Sequence, residues 1–491
     1  MSQPGTPPSP TNGSGGSASL PAHTSPKKLL TALLVPLFMA LMAVSVVNVA
    51  LTPIGSSLGA SSSQTQWVVS GYALSFAVPL VAAGRLGDAT GRRRMFMLGL
   101  ILFTLGSLLS GVAPSIEFLI VARVLQGLGS GFINPQTTGI IQQNFTGQAR
   151  ARAYGMFGSV VALAVIVGPV LGGFLIQIFG ESLGWRMMFL INVPIGLLGV
   201  VLGLRWIPRD RIAPSSNAKR MDLDPVGMVT LALAVFTLLL PFVQRSDNPV
   251  FWVFLPLGLA LLVFFVIWEG RYKKAGHPPM LDMDLITQPA FRNGIMIVSL
   301  YFLGNTSVWL IIPIYVQGHL NQSALMAGMI GVPSALVSAF VAPWAGRRVL
   351  TSGRRMVMVG FCFSLLAISG TILLITPVEN GTLPVWALAV PLILLGIGGG
   401  LTISPNQTLT LKSVPPQVSG VAGGVLSLGQ RMGTAVGTAL IPSILYALTE
   451  AGFHWNLGII AAFSAIILTL SSGLAFTIAD RRREVRETAS A

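Results

Sequence analysis

The sequence predicts an all-α membrane protein of fourteen transmembrane helices, and three observations predict it. Of the 491 residues 53% are hydrophobic and only 9% charged, with a mean hydropathy of +0.76, whereas a soluble globular chain carries about 25% charged residues. Fourteen stretches stay apolar over the roughly 17 to 25 residues needed to cross a bilayer. The remaining charges fall in alternate short loops beside those stretches, which is how membrane chains are oriented. The net charge of +15 therefore reads as topology, not as a surface for nucleic acid.

The elements follow in order. Residues 1–28, rich in Ser, Gly, Pro and Thr and ending in Lys27-Lys28, lack the bulk to bury anything and predict a disordered cytoplasmic tail. The apolar stretch after them is too long for a signal peptide and is followed by thirteen more. Six spans, at about 29–52, 66–86, 95–113, 118–140, 153–178 and 186–206, form an N-terminal half over residues 29–211. Residues 212–291 hold two further spans, 226–244 and 251–269, almost wholly apolar and suited to face lipid. Six more, at 292–316, 325–345, 356–376, 384–410, 419–446 and 456–478, form a C-terminal half over 292–480. Residues 481–491, opening with Arg481-Arg482-Arg483, read as a basic tail beside anionic lipid headgroups.

Counting loops from the inside puts Arg92 to Arg94, Arg150, Arg152, Arg209, Arg211, Lys219, Arg220, Arg271, Lys273, Lys274, Arg347, Arg348, Arg354, Arg355 and Lys412 in the cytoplasm, and only Arg186 and Arg245 outside. Both termini are then cytoplasmic, in a plasma or inner membrane.

The frame Gly84-Arg85-Leu86-Gly87-Asp88-Ala89-Thr90-Gly91-Arg92-Arg93-Arg94 recurs 262 residues later as Gly346-Arg347-Arg348 through Gly353-Arg354-Arg355, with Leu350 in the place of Asp88. This segment reads as a cytoplasmic gate loop. Gly84 and Gly91 permit close helix approach and a tight reversal, Asp88 caps or bridges a helix end, and Arg92 and Arg93 hold the loop inside. Two copies of one membrane unit imply a transporter, working as a monomer.

Four segments together resemble the major facilitator superfamily, and within it the fourteen-span drug:proton antiporter subfamily: Gly84 to Arg94; Arg123-Val124-Leu125-Gln126-Gly127-Leu128-Gly129-Ser130-Gly131; Gly168-Pro169-Val170-Leu171-Gly172-Gly173; and Trp185-Arg186 with Phe189 to Gly196. The resemblance covers about Lys28 to Ala479. It implies the major facilitator fold, two six-helix halves plus two inserted central helices, and secondary active export of small organic compounds by alternating access with proton antiport. Arg123 would couple proton movement to substrate release. Gly168-Pro169 would kink the fifth span while Gly172 and Gly173 admit a facing helix, a segment that marks exporters in the family, although Ala164 stands where glycine is usual.

Polar residues inside apolar spans sketch the pathway: Arg123, Gln126, Arg431, Asn48, Asn134, Asn192, Asn305 and Asn406, with Gln136, Gln407 and Gln430 as further candidates and Tyr72, Phe132, Tyr301 and Trp309 as walls. For any single amide a helix-packing bond is the alternative. Arg431 has two readings, a hydrogen-bonded structural role and a substrate-facing one. Asn134-Pro135 and Ser404-Pro405 predict paired breaks in the fourth and twelfth spans.

All fifteen carboxylates fall in loops or at span ends, all four histidines lie outside the spans, and Ala43 stands where the subfamily usually carries a first-span acid. That leaves Asp88 or Glu117 as proton carrier, an indirect role for Arg123, or no proton coupling; it also favours anionic, neutral or zwitterionic substrates over cationic ones. The single Cys362 excludes disulfides within the chain. No cofactor, metal site, phosphate-binding loop or catalytic nucleophile is expected, so an enzyme is not. A facilitator or importer of a sugar or organic acid on the same fold is the alternative function.

Overall fold

The computed structural model describes residues 25–210, 223–244 and 249–490, and the described chain is helix joined by short turns. Residues 1–24 of the expected tail, Arg211, Lys219, Arg220 and Asp222 of the linker, and Arg245 lie outside the described residues.

The first span comprises α1 (Pro26–Ser45) and α2 (Val47–Leu58), which meet at Val46. Ser25 caps α1 by accepting from Lys28 N, and Pro26 occupies the first turn. Proline there loses no helical hydrogen bond, so the helix starts before residue 29 and Lys27 and Lys28 belong to it. Next come α3 (Ser62–Ala77), opened by a reciprocal Ser61–Gln64 capping box, and α4 (Leu80–Thr90), bent by 41° from α3 at Val78-Pro79. Pro79 lacks the N–H that would continue the ladder.

The segment expected to be a gate loop is helical as far as Thr90. Only Gly91, at φ 117°, leaves the helix before α5 (Arg92–Gly111) begins. One glycine suffices for the reversal because a side chain would oppose that φ and because its Cβ would lie 2.6 Å from Asp210 Cγ. Gly353, at φ 52°, makes the corresponding reversal in the second half.

The chain continues through α6 (Ile116–Asn144), α7 (Gly147–Leu190) and α8 (Asn192–Trp206). Residues Gly147–Trp206 form one apolar run of 60 residues, about 90 Å at a rise of 1.5 Å per residue, three times the hydrocarbon thickness of about 30 Å. Gly180, at φ 75°, breaks it. Then follow α9 (Pro225–Val243), α10 (Phe254–Lys274), the short α11 (Met283–Thr287), α12 (Pro289–Pro313), α13 (Ala324–Ser352), α14 (Arg354–Glu379), α15 (Ala389–Thr410), α16 (Ser419–Glu450) and α17 (Trp455–Ser490). Among the described residues twelve helices are long and apolar enough to cross a membrane, thirteen with the bent α3–α4 pair.

Two expectations are corrected. Pro135 and Pro405 do not break α6 and α15, which run through them; neighbouring helices support a proline whose single lost bond leaves the rest of the ladder intact. Residues 481–490 of the expected basic tail are helical, continuing α17. His319 is not outside the spans but ends a π-helical extension of α12, Ile314–His319, and pairs with Glu379 Oε1 at 2.8 Å.

The largest core runs through α1–α10 and reaches across into α12 and α16, a second fills α12–α17, and a third lies about the α1–α2 junction. Ser70 Oγ on α3 donates to Val243 O, tying α9 to the first half. Leu257, Leu259, Val263, Phe264 and Ile267 of α10 remain exposed, the outward apolar face of a helix whose solvent is lipid.

Candidate functional site: an inter-half latch and two interior arginines

At the end of the molecule that carries the arginine-rich turns, called here the basic side, the halves are joined through Asp88. Its Oδ1 accepts Arg92 Nε at 2.8 Å, Arg92 Nη2 at 2.6 Å and the backbone N–H of Gly420 at 3.1 Å; its Oδ2 accepts the N–H of Val421 at 3.0 Å. Gly420 and Val421 open α16, so a carboxylate from one half occupies the electropositive N-terminus of a helix from the other. Charge-assisted bonds of this kind are about twice as strong as neutral ones. Arg92, itself buried, also donates to Gly139 O at 3.0 Å and to Pro416 O. The guanidinium thus neutralises the acid and reaches across the same junction.

Backbone contact requires the absence of side chains. A Cβ on Gly84 would stand 2.6 Å from Gly420 C and 2.8 Å from Val421 N. Further inter-half bonds lie along the basic side: Gln142 Nε2 to Leu411 O at 2.7 Å, Gln148 Nε2 to Arg347 O at 2.5 Å and Ser159 Oγ to Ala339 O at 2.6 Å. A further inter-half bond runs from Ser427 Oγ to Asn134 Oδ1 at 2.9 Å.

Arg93 is not part of the latch. Its N–H and that of Arg94 bond the Asp210 carboxylate at 3.0 and 3.2 Å, and its Nη2 donates to Leu204 O. Asp210 follows the last helix of the first half and caps α5. In the second half Asp480, near the end of α17, pairs with Arg354 Nε at 2.6 Å, and both side chains are buried. Asn406 belongs to that cluster, accepting from Arg354 Nη1 and donating to Gly294 O. Both ends of its amide are occupied by these packing bonds.

Arg123 is fully buried and nearly saturated. Nε donates to Val68 O at 3.1 Å, Nη1 to Gln126 Oε1 at 2.5 Å and Nη2 to Ala43 O at 3.3 Å, while the guanidinium lies 4.0 Å from the Tyr72 ring centroid. Gln126 passes the network on to Ser107, and Tyr72 Oη donates to Ala40 O at 2.7 Å. Neutral acceptors replace a carboxylate throughout. Arg431 differs: half-buried, 4.0 Å above the Phe76 ring of the other half, it has no hydrogen bond or ion pair among the described residues.

The remaining candidates scatter. Asn192 is buried and donates to Met188 O, Asn305 is half-buried, and Asn48 is exposed. Gly168 packs on the α1–α2 junction, where its Cβ would come 2.9 Å from Val46 N, and Ser45 Oγ donates to Ala164 O at 2.9 Å beside Pro169. Gly172 touches Val46 and Met188, but Gly173 has nothing within 4 Å, so it admits no facing helix. The pair Gly172-Gly173 looks alike in sequence, yet adjacent helical positions point about 100° apart, so only one can meet the neighbour. Gly420, Val421, Ser427, Phe76, Asp210 and Asp480 were not recognisable as partners; for the two aspartates the one available signal is a lone acid after each half's last apolar span. Among the described residues no three His, Cys, Asp or Glu gather to hold a metal.

The major facilitator superfamily family pattern matches residues 33–272 and 294–490 of the chain. The probable actinorhodin transporter of Streptomyces coelicolor is 33% identical over 415 residues, 82% of this chain and 70% of that one. The puromycin resistance protein pur8 of Streptomyces alboniger is 31% identical over 469 residues, 91% of this chain and 90% of that one. Among solved structures, the major facilitator superfamily proton:xylose symporter XylE superposes with a TM-score of 0.64 at 13% identity, covering 91% of this chain and 94% of that one, a likeness of fold. With an all-helical two-half architecture and a pattern match across nearly its whole span, the chain belongs to the major facilitator superfamily and is a multi-pass membrane transporter of small molecules.

Proposed function

We propose that this transporter exports small organic compounds from the cytoplasm across the plasma membrane by alternating access, in exchange for protons. The observation that carries the reading is the Asp88 latch on the α16 N-terminus. It closes one side of the junction between the halves by groups that separate without unfolding either half, as a rocking mechanism requires. The positive loops support reading that closed side as cytoplasmic, with both termini on it. Similarity to an actinorhodin transporter and to a puromycin resistance protein supports small organic compounds as cargo and export as direction.

We further read Gly147–Trp206 as two spans separated at Gly180, which brings the count to the fourteen of the drug:proton antiporters. The two six-helix halves are then residues 29–211 and 292–480, with α9 and α10 inserted between them. Arg431, Asn134 and Asn305 belong to the pathway in this reading, Asp88, Arg92, Gly84 and Gly91 to the cytoplasmic gate, and Gly168-Pro169 to the pivot against α1.

The test is transport by purified protein in proteoliposomes, over anionic, neutral and cationic compounds, with and without an imposed pH gradient. Accumulation against a concentration gradient only when protons flow the opposite way is the expected result. Equilibration indifferent to pH would make the protein a facilitator, and co-movement with protons an importer.

A further inference from the structure

The two interior arginines differ in what is left for them to bind. Arg123 has spent its donors on Val68 O, Ala43 O and Gln126 Oε1 within its own half. Arg431 has spent none among the described residues, and none of its nitrogens is a sealed, partnerless atom, so its donors keep some accessible surface. A guanidinium carries five N–H donors and remains charged. At membrane depth such a group requires an acceptor.

Its position is that of a ligand site. Ten residues of α16 separate Val421, in the latch, from Arg431, about 15 Å at 1.5 Å per residue, or half of a hydrocarbon layer about 30 Å thick. One helical turn nearer the latch, Ser427 bonds Asn134 across the junction. Arg431 therefore stands at mid-depth, one turn beyond that bond.

The surroundings select charge. On α3, Phe76 lies under Arg431 and Tyr72 under Arg123, each with its ring centroid 4.0 Å from the guanidinium carbon; four residues apart, the two rings share one helix face. From α6 come Asn134, Gln126 and the second positive charge, Arg123; from α12, Ser299 backs Gly429 and Gly433 beside Arg431. Neither arginine forms an ion pair with any described carboxylate. Two positive charges with neutral neighbours attract an anion and repel a cation, and a guanidinium stacked on a ring keeps its edge donors free for a bidentate oxyanion.

We propose that Arg431 is an anion anchor between the halves, and that the compounds this protein carries are organic anions whose carboxylate or sulfonate meets Arg431. This rests on the transport reading above and names the cargo's chemistry.

The experiment is equilibrium binding to full-length protein in nanodiscs of two compounds with the same aromatic body, the anion 8-anilinonaphthalene-1-sulfonate and neutral N-phenyl-1-naphthylamine, with ethidium as the cation. Wild type should bind the sulfonate better than ethidium. Arg431→Gln should weaken sulfonate binding about 10- to 100-fold, the range for a lost bond to a charged group, leave the neutral compound within about twofold, and leave the melting temperature near that of wild type; Arg431→Lys should fall between. Equal weakening of both compounds, unchanged sulfonate binding, no sulfonate binding by wild type, or preference for ethidium would overturn the proposal. Should Arg431→Gln not fold, the Lys and Met variants decide on the same sulfonate-to-neutral ratio. Arg431-dependent sulfonate binding without directed export in proteoliposomes would retain the anion site and overturn the export reading alone.

Discussion

The carboxylate of Asp88, on the last turn of α4, accepts the backbone N–H of Gly420, 332 residues later, at 3.1 Å. One acid thereby binds a helix of each half, and it does so at a helix end, where a negative charge is favourable.

Replacing Asp88 by Asn removes the charge but keeps the shape. The closed state should lose about 1–3 kcal/mol, the worth of a charged hydrogen bond with its helix-end contribution. In a Cys362→Ser background, Gln148→Cys and Arg347→Cys should crosslink more slowly once Asp88→Asn is added. Transport should slow while its pH profile keeps its form; a vanished pH response would make Asp88 the proton carrier instead.

Gly84→Val tests the closeness of the backbones. Its Cβ would meet Gly420 C at 2.6 Å and Val421 N at 2.8 Å, and backbone atoms at a helix start have little freedom to retreat. The same cysteine pair should fail to crosslink and transport should stop, with membrane abundance near normal. Normal crosslinking would mean that α4 and α16 need not touch.

Arg123→Gln should act on stability. It leaves Val68 O, Ala43 O and Gln126 Oε1 without their donor in a sealed site, at about 1–3 kcal/mol for each orphaned group. A lower melting temperature and lower abundance are expected, without rescue by Lys, whose single ammonium does not match the guanidinium fork. Loss of transport by a normally stable, normally abundant variant would restore Arg123 to the coupling role that the family resemblance implies.

Asp480→Asn leaves Arg354 charged and buried, and breaking such a pair costs about 3–5 kcal/mol. Arg354 and Asp480 are 1% and 5% exposed, so thermal unfolding should begin at a visibly lower temperature. An unchanged melting curve would show that the other partners of Arg354, Asn406 and Ala290 O among them, suffice to hold it.

Particular residues show why some features were legible in the chain and others were not. The spans were legible because burial in lipid constrains composition residue by residue, and the turn at Gly91 because a reversal at φ 117° demands glycine locally. Its repeat at Gly353 was visible for the same reason. The gate loop, by contrast, is a helix to Thr90: Gly84 and Gly87, which look like loop glycines, are small because Gly420 and Gln136 press against them. Gly172 and Gly173 are neighbours in sequence, and only the direction of each Cα decides which one meets α2.

What the sequence by itself determined is the class of molecule, its helices and its two-copy organisation, because hydropathy, charge placement and glycine turns act through short stretches of chain. What only the tertiary structure decided is which charge meets which partner. Arg123 and Arg431 are equivalent on paper, each an arginine within an apolar span. One folds against carbonyls of its own half, while the other reaches Phe76 across the junction with its donors unspent, because a side chain's partners depend on distances between helices that no local pattern encodes.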